Sequence, residues 1–136
     1  MTREILLTVD GQPPLRDTGP QFYNPHRPQY PQVVRLREAA AQALASQPDW
    51  DPNEEGWIAL ALTVVQPAPG LTMAEVAGAL GGVVDALQLP PVDADVPGAS
   101  LYHDPLQIRV VRYAVQQGDA PAYSVIVRVI GAPPRC

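Results

Sequence analysis

Proline decides where regular structure can form in this chain. Of its 136 residues 17 are proline, and each one fixes φ, removes an amide donor and restrains the residue before it. Pro13, Pro14, Pro20, Pro25, Pro28 and Pro31 interrupt any ladder through the first loop. Pro67 and Pro69, with Gly70, break the chain again, and Pro90, Pro91 and Pro97 punctuate Leu89 to Ser100. The windows between these breaks carry clear periodicities. Glu4 to Val9 reads as an opening strand closed by the turn pair Asp10-Gly11. Residues 32–46 read as a helix with Val33, Val34, Leu36, Ala40 and Leu44 as its apolar stripe. Trp57 to Val65 is apolar on both faces and predicts a central strand covered on both sides or nearly so. Thr72-Met73-Ala74-Glu75 matches a capping box that opens a second helix, whose buried face is Val76, Leu80, Val83, Val84 and Leu87. Gly78, Gly81 and Gly82 weaken that helix unless something approaches its backbone closely. Leu106 to Val115 and Ala122 to Ile130 read as two strands of a hairpin around Gln116-Gln117-Gly118-Asp119.

The expectation is an α/β (α+β) chain forming one domain over residues 1–136. It has a mixed sheet of about four to five strands and two main helices. A Pro-rich loop or arm occupies 12–31 and an extended loop 88–101. The arm carries Phe22, Tyr23 and Tyr30 among Arg16, His26 and Arg27. Such aromatics either pack on a partner or pin the loop to its own core. At 46% hydrophobic and 17% charged residues, the composition excludes an intrinsically disordered chain. The single cysteine, Cys136, rules out an internal disulfide or a cysteine metal cluster and suits a reducing compartment. No apolar run approaches the roughly 18 residues of a membrane span, and no signal-peptide core follows Met1. The expected location is therefore cytoplasmic, away from membrane.

Charge is unevenly placed. Nine basic residues against 14 acidic ones give a net charge of −5, and all nine are arginine. Residues 1–47 carry +1, residues 48–104 hold nine acids and no base, and residues 105–136 carry +3. A protein that binds phosphate non-specifically carries a basic surplus, so this balance disfavours duplex or junction DNA as partner. Whatever DNA binding exists falls to Arg16, Arg27, Arg35 and Arg37, or to Arg109, Arg112 and Arg128. The acidic middle reads as a solvated surface, a divalent-cation site or a surface for a basic partner.

From Thr72 to Ile130 the chain resembles the RusA family of Holliday-junction endonucleases. The residues that carry the resemblance are Val84-Asp85-Ala86-Leu87 and, after a loop, Leu101-Tyr102-His103-Asp104-Pro105-Leu106-Gln107-Ile108. Family members open the helix with Asp-x-Asp-Asn, place Lys three residues on, and reach Asp-Ala-Leu. A Tyr/Trp-x-Asp-Asp-x-Gln-Ile/Val element and a final hairpin follow. The upstream strand, Pro/Arg/Tyr-rich stretch, helix and apolar strand keep the same order. The resemblance implies a homodimer, magnesium, and a nuclease acting in DNA recombination and repair.

The chemistry departs from that pattern. Counting back from Asp85, the first catalytic Asp falls on Glu75, the second on Ala77, the Asn on Gly78 and the Lys on Gly81. In the second element Asp104 is kept and the next Asp is Pro105. Glu75 and Asp104 are the candidate metal ligands, with Asp85 a further candidate for catalysis. Phosphodiester hydrolysis needs a divalent cation held by several carboxylates and a cation for the charge that builds on the phosphoryl group. Two carboxylates hold magnesium only weakly, and only an arginine arriving from elsewhere can replace the lysine. Each candidate also has a plain structural role open to it: Glu75 as a cap, Asp85 bonded to a loop, Asp104 in a turn, His103 at the surface. Asp93 and Asp95 read as a solvated loop. The leading expectation is a RusA-like fold with a decayed nuclease site, retained as a dimeric binding or interaction protein. The alternatives are an active, diverged magnesium-dependent junction nuclease and an unrelated α/β binding module.

Overall fold

The computed structural model describes residues 3–16, 25, 27–52, 56–67, 72–90 and 96–131. Its elements run β1 (Glu4–Asp10), α1 (Tyr30–Ala45), β2 (Trp57–Gln66), α2 (Met73–Leu87), β3 (Ile108–Gln117) and β4 (Ala122–Gly131). Four strands form one mixed sheet in the order β1-β4-β2-β3, and with the two helices they make a single α+β domain. β2 and β3 run parallel, joined by α2 as a βαβ unit, while β4 is antiparallel to both β1 and β2.

The predicted hairpin is not formed. β4 leaves β3, steps over the end of β2 and inserts between β1 and β2. Gln116 and Gln117 belong to β3, so residues 118–121 alone make the crossing. They span two strand spacings, about 10 Å. At the crossing the Gly118 amide donates to the Gln66 carbonyl at 3.0 Å, and a Cβ on Gly118 would meet Val65 Cγ1 at 2.5 Å. Local pattern cannot separate a neighbour pairing from a skip of one strand, because both need the same two runs and a short turn.

β1, β2 and β4 each alternate between core and open face. Ile5, Leu7 and Val9, Ile58, Leu60, Leu62 and Val64, and Tyr123, Val125 and Val127 are buried. They pack under Val33, Leu36 and Ala40 of α1 and Ala79, Val83, Ala86 and Leu87 of α2. The expectation that β2 is covered on both faces is therefore corrected. Its second face, Trp57, Ala59, Ala61, Thr63 and Val65, is half-buried, and no described element lies over it. β3 is an edge strand with Val110, Val111 and Val115 exposed.

Helix α1 begins two residues earlier than its apolar stripe indicates. Pro31 sits in its first turn, where the missing amide has no intrahelical acceptor to lose. α2 begins at the predicted cap: Thr72 Oγ1 accepts from the Glu75 amide at 3.2 Å and Glu75 Oε1 accepts from the Thr72 amide at 3.1 Å. Its glycines have a reason. Pro13 to Arg16 crosses α2, with the Arg16 amide donating to the Gly78 carbonyl at 2.9 Å. A Cβ on Gly82 would lie 1.9 Å from the Pro14 carbonyl oxygen. This first part of the arm is pinned to its own core, with Pro13 and Pro14 buried. Phe22, Tyr23, His26, Asp93, Asp95 and Cys136 lie outside the described residues.

Candidate functional site

Each carboxylate singled out from the sequence is held by a different partner. Glu75 is exposed, and its bond to the Thr72 amide and hydroxyl keeps its carboxyl below the ordinary range. Asp85 takes a two-pronged contact from Arg16, Nε to Oδ2 at 3.0 Å and Nη2 to Oδ1 at 3.3 Å. Asp104 accepts from the Leu106 amide at 2.9 Å and caps the short 3₁₀ turn Pro105–Gln107.

They do not converge. Glu75 lies in the first turn of α2. Asp104 follows Tyr102, whose hydroxyl donates to the Val84 carbonyl and whose backbone bridges to Gln88 just past the helix. Nine residues of helix between Glu75 and Val84 advance about 14 Å along the axis. Among the described residues no three or more His, Cys, Asp or Glu side chains come together as a possible metal site. The residues present do not fit a magnesium ion held jointly by Glu75 and Asp104 within one chain.

The residues that carry the resemblance are tied into the fold. Gln107 Oε1 accepts from the His103 and Asp104 amides at 3.2 and 3.1 Å, and its Nε2 donates to the Gly56 carbonyl at 2.8 Å. Tyr102 is 1% exposed. This element locks the entry to β3 against the entry to β2 and against the end of α2.

One cation does arrive over α2 from elsewhere in the chain. The Arg16 guanidinium lies over Gly81, so close that a Cβ there would stand 2.6 Å from Nε. No helix periodicity signals this, because Arg16 comes from the proline-rich loop.

The arginines expected to face nucleic acid divide. Arg37 is corrected outright. It is 3% exposed and points into the core. Its Nη1 donates to the Ala86 carbonyl at 2.9 Å, the Gln88 carbonyl at 3.3 Å and Ser100 Oγ at 3.1 Å, and its Nε to the Pro97 carbonyl at 3.1 Å. A cation at the carbonyl end of α2 also meets the negative end of the helix dipole. Arg35 is exposed and donates to the Asp10 carbonyl at 3.3 Å. Arg27 is half-buried. Arg109 stacks over Trp57 at 4.4 Å from the ring centre. Arg112 and Arg128 share the open sheet face with Ala59, Ala61, Ile126 and Ile130 around a trough of about 380 Å³, and Arg128 pairs with Glu4 at 2.8 Å.

Sequence reading passed over Trp50 and Gln66. Trp50 is buried and its indole donates to the Leu101 carbonyl at 2.8 Å. Gln66 ends β2 with its side chain buried, a polar residue just past an apolar run that offers no periodic signal. No family model matches the sequence, and no curated protein resembles it at a significant level.

Proposed function

We propose that this chain is a RusA-like protein that has lost nuclease chemistry and works by binding, as a cytoplasmic homodimer. One observation carries the reading: Glu75, Asp85 and Asp104 are engaged separately, by Thr72, Arg16 and Leu106. They are spread along α2 and its exit instead of surrounding one cation position. Ala77 and Pro105 offer no carboxylate to repair the set. The dimer part of the proposal is supported by the apolar surface at one sheet edge. Val110, Val111 and Val115 of β3 and Leu106 before it are all exposed. A long exposed apolar edge strand is a template for pairing with another strand, and a second copy is the partner this reading puts there. DNA is disfavoured by the net charge of −5.

The second reading, an active but diverged junction nuclease, has one observation in its favour. Arg16 stands over Gly81, where the family carries its cationic lysine. A cleavage assay on four-way junction DNA with magnesium or manganese separates the two, run beside light scattering of the eluted protein. The proposal expects a dimer and uncut junctions. Metal-dependent cleavage that disappears in Arg16→Ala and Asp104→Asn would establish the second reading instead.

A further inference from the structure

β2 is apolar on both faces, and only one of them is covered. Ile58, Leu60, Leu62 and Val64 lie under the helices, while among the described residues no element lies over Trp57, Ala59, Ala61 and Thr63. A strand that runs parallel to its neighbour and is apolar on both sides belongs to a sheet with helices on both faces. β2 runs parallel to β3, and α2, which joins them, covers one side only. The second side therefore has the composition of a covered face.

The register gives that face its shape. Ala59 is flanked by Val110 of β3 and Arg128 of β4, and Ala61 by Arg112 and Ile126. The two alanines form a floor, and the longer side chains of β3 and β4 form two walls around a trough of about 380 Å³. The walls stand two strand spacings apart, about 10 Å, which is about the width of one α-helix. Their charge has one sign. Arg112 and Arg128 line the trough and no described acidic residue does, although the chain as a whole carries −5. Arg112 is exposed and, among the described residues, has no hydrogen bond or ion pair. Arg128 pairs with exposed Glu4 at 2.8 Å, a surface contact that contributes little and that an incoming carboxylate can replace.

We propose that the open sheet face docks an amphipathic helix of a partner protein, apolar along one stripe and acidic on both flanks. The stripe lies on Ala59 and Ala61 between Val110 and Ile126. The flanking carboxylates take two-pronged contacts from Arg112 on one wall and Arg128 on the other. Nucleic acid fits this surface less well. A single strand binds through free aromatic faces, and the aromatic ring on this face, Trp57, already has the Arg109 guanidinium over it at 4.4 Å. The inference is independent of the loss of cleavage and of the dimer, which the reading above places at the β3 edge.

Docking is tested by titrating the ¹⁵N-labelled full chain with a synthetic helix of about 18 residues, ~27 Å long, with leucine on one face and glutamate on the rest. The same peptide with lysine for glutamate, and a single-stranded oligonucleotide, are the comparisons. Saturable shifts of the Ala59, Ala61, Val110 and Ile126 amides are expected with the glutamate peptide alone, weakening as salt rises. Arg112→Glu should weaken that binding at least tenfold with the melting temperature unchanged, because the side chain has no described partner to lose. Ala61→Glu should abolish it by placing a carboxylate on the floor, and light scattering should give this variant the same molar mass as the parent. No binding of the glutamate peptide, equal binding of the lysine peptide, or binding untouched by Arg112→Glu would overturn the proposal. Tighter oligonucleotide binding at these amides would overturn it in favour of nucleic acid, and a lower molar mass for Ala61→Glu in favour of a second copy on this face.

Discussion

Gly78 and Gly82 lie one helical turn apart in α2, and alanine should act on the two in opposite directions. In an unobstructed helix interior, Gly→Ala stabilises by about 0.5–1 kcal/mol, because alanine loses less backbone freedom on folding. At Gly78 the nearest atom to an added Cβ is Leu15 Cδ2 at 3.6 Å, an ordinary contact, so nearly the full gain should appear. At Gly82 the Cβ would lie 1.9 Å from the Pro14 carbonyl oxygen, 2.5 Å from the Pro14 carbonyl carbon and 2.9 Å from that of Leu15. These are backbone atoms and cannot swing aside. The crossing segment must lift, which exposes buried Pro13 and Pro14 and breaks the bond from the Arg16 amide to the Gly78 carbonyl. Overpacking of this kind costs about 1–3 kcal/mol, and the lost hydrogen bond about 1 kcal/mol more. After the propensity gain, Gly82→Ala should be destabilised by about 2 kcal/mol. For a domain of this size that lowers the melting temperature by roughly 6–8 °C. Paired urea and thermal melts followed by circular dichroism read both variants. A Gly82→Ala protein as stable as Gly78→Ala would refute the docking of residues 13–16 on α2, and with it the placement of Arg16 over Gly81.

Arg37→Met should lower stability by about 2–4 kcal/mol in urea titrations, since it removes the guanidinium from the buried Ala86 carbonyl and Ser100 hydroxyl. Gln107→Leu should cost about 3 kcal/mol in the same assay, because it strips partners from the Gly56 carbonyl and from the His103 and Asp104 amides. Glu75 has a folded pKa lowered from 4.5 by Thr72. Its contribution is complete above that value and is lost as pH falls through the lower folded one. Glu75→Gln should therefore flatten the acid limb of a stability-against-pH profile and leave the profile above pH 6 parallel to the parent.

The periodic part of the fold was legible in the sequence. Glu4 to Val9, Trp57 to Val65 and Ala122 to Ile130 each lie within an observed strand, because the proline breaks leave few other windows and β-branched residues fill them. The Thr72–Glu75 box fixed the start of α2, since a cap is a local arrangement needing nothing from the rest of the chain. What escaped is non-local. The skip of β4 past β2 depends on which edges are free when the sheet closes, and a four-residue connection serves either pairing. Arg37 sits beside Arg35 in sequence but about 200° away around the helix. That rotation turns one arginine to solvent and the other to the carbonyl end of α2. The candidate carboxylates were found as residues but not as a site. Spacing along a helix places Glu75 and Asp85 about 15 Å apart axially, and only the path of the loop after α2 decides where Asp104 falls. Gln66 gave no signal because an amide at a strand end is common, although its side chain is buried.

The central claim is that the three carboxylates do not form a shared metal site. Titration of the ¹⁵N-labelled chain with manganese tests it directly, since the paramagnetic ion broadens every amide near a bound site. The account predicts weak broadening, unsaturated at millimolar metal, with the amides of Glu75, Asp85 and Asp104 affected independently of one another. Saturable broadening of the Glu75 and Asp104 amides together at micromolar manganese, abolished in Glu75→Gln, would contradict it.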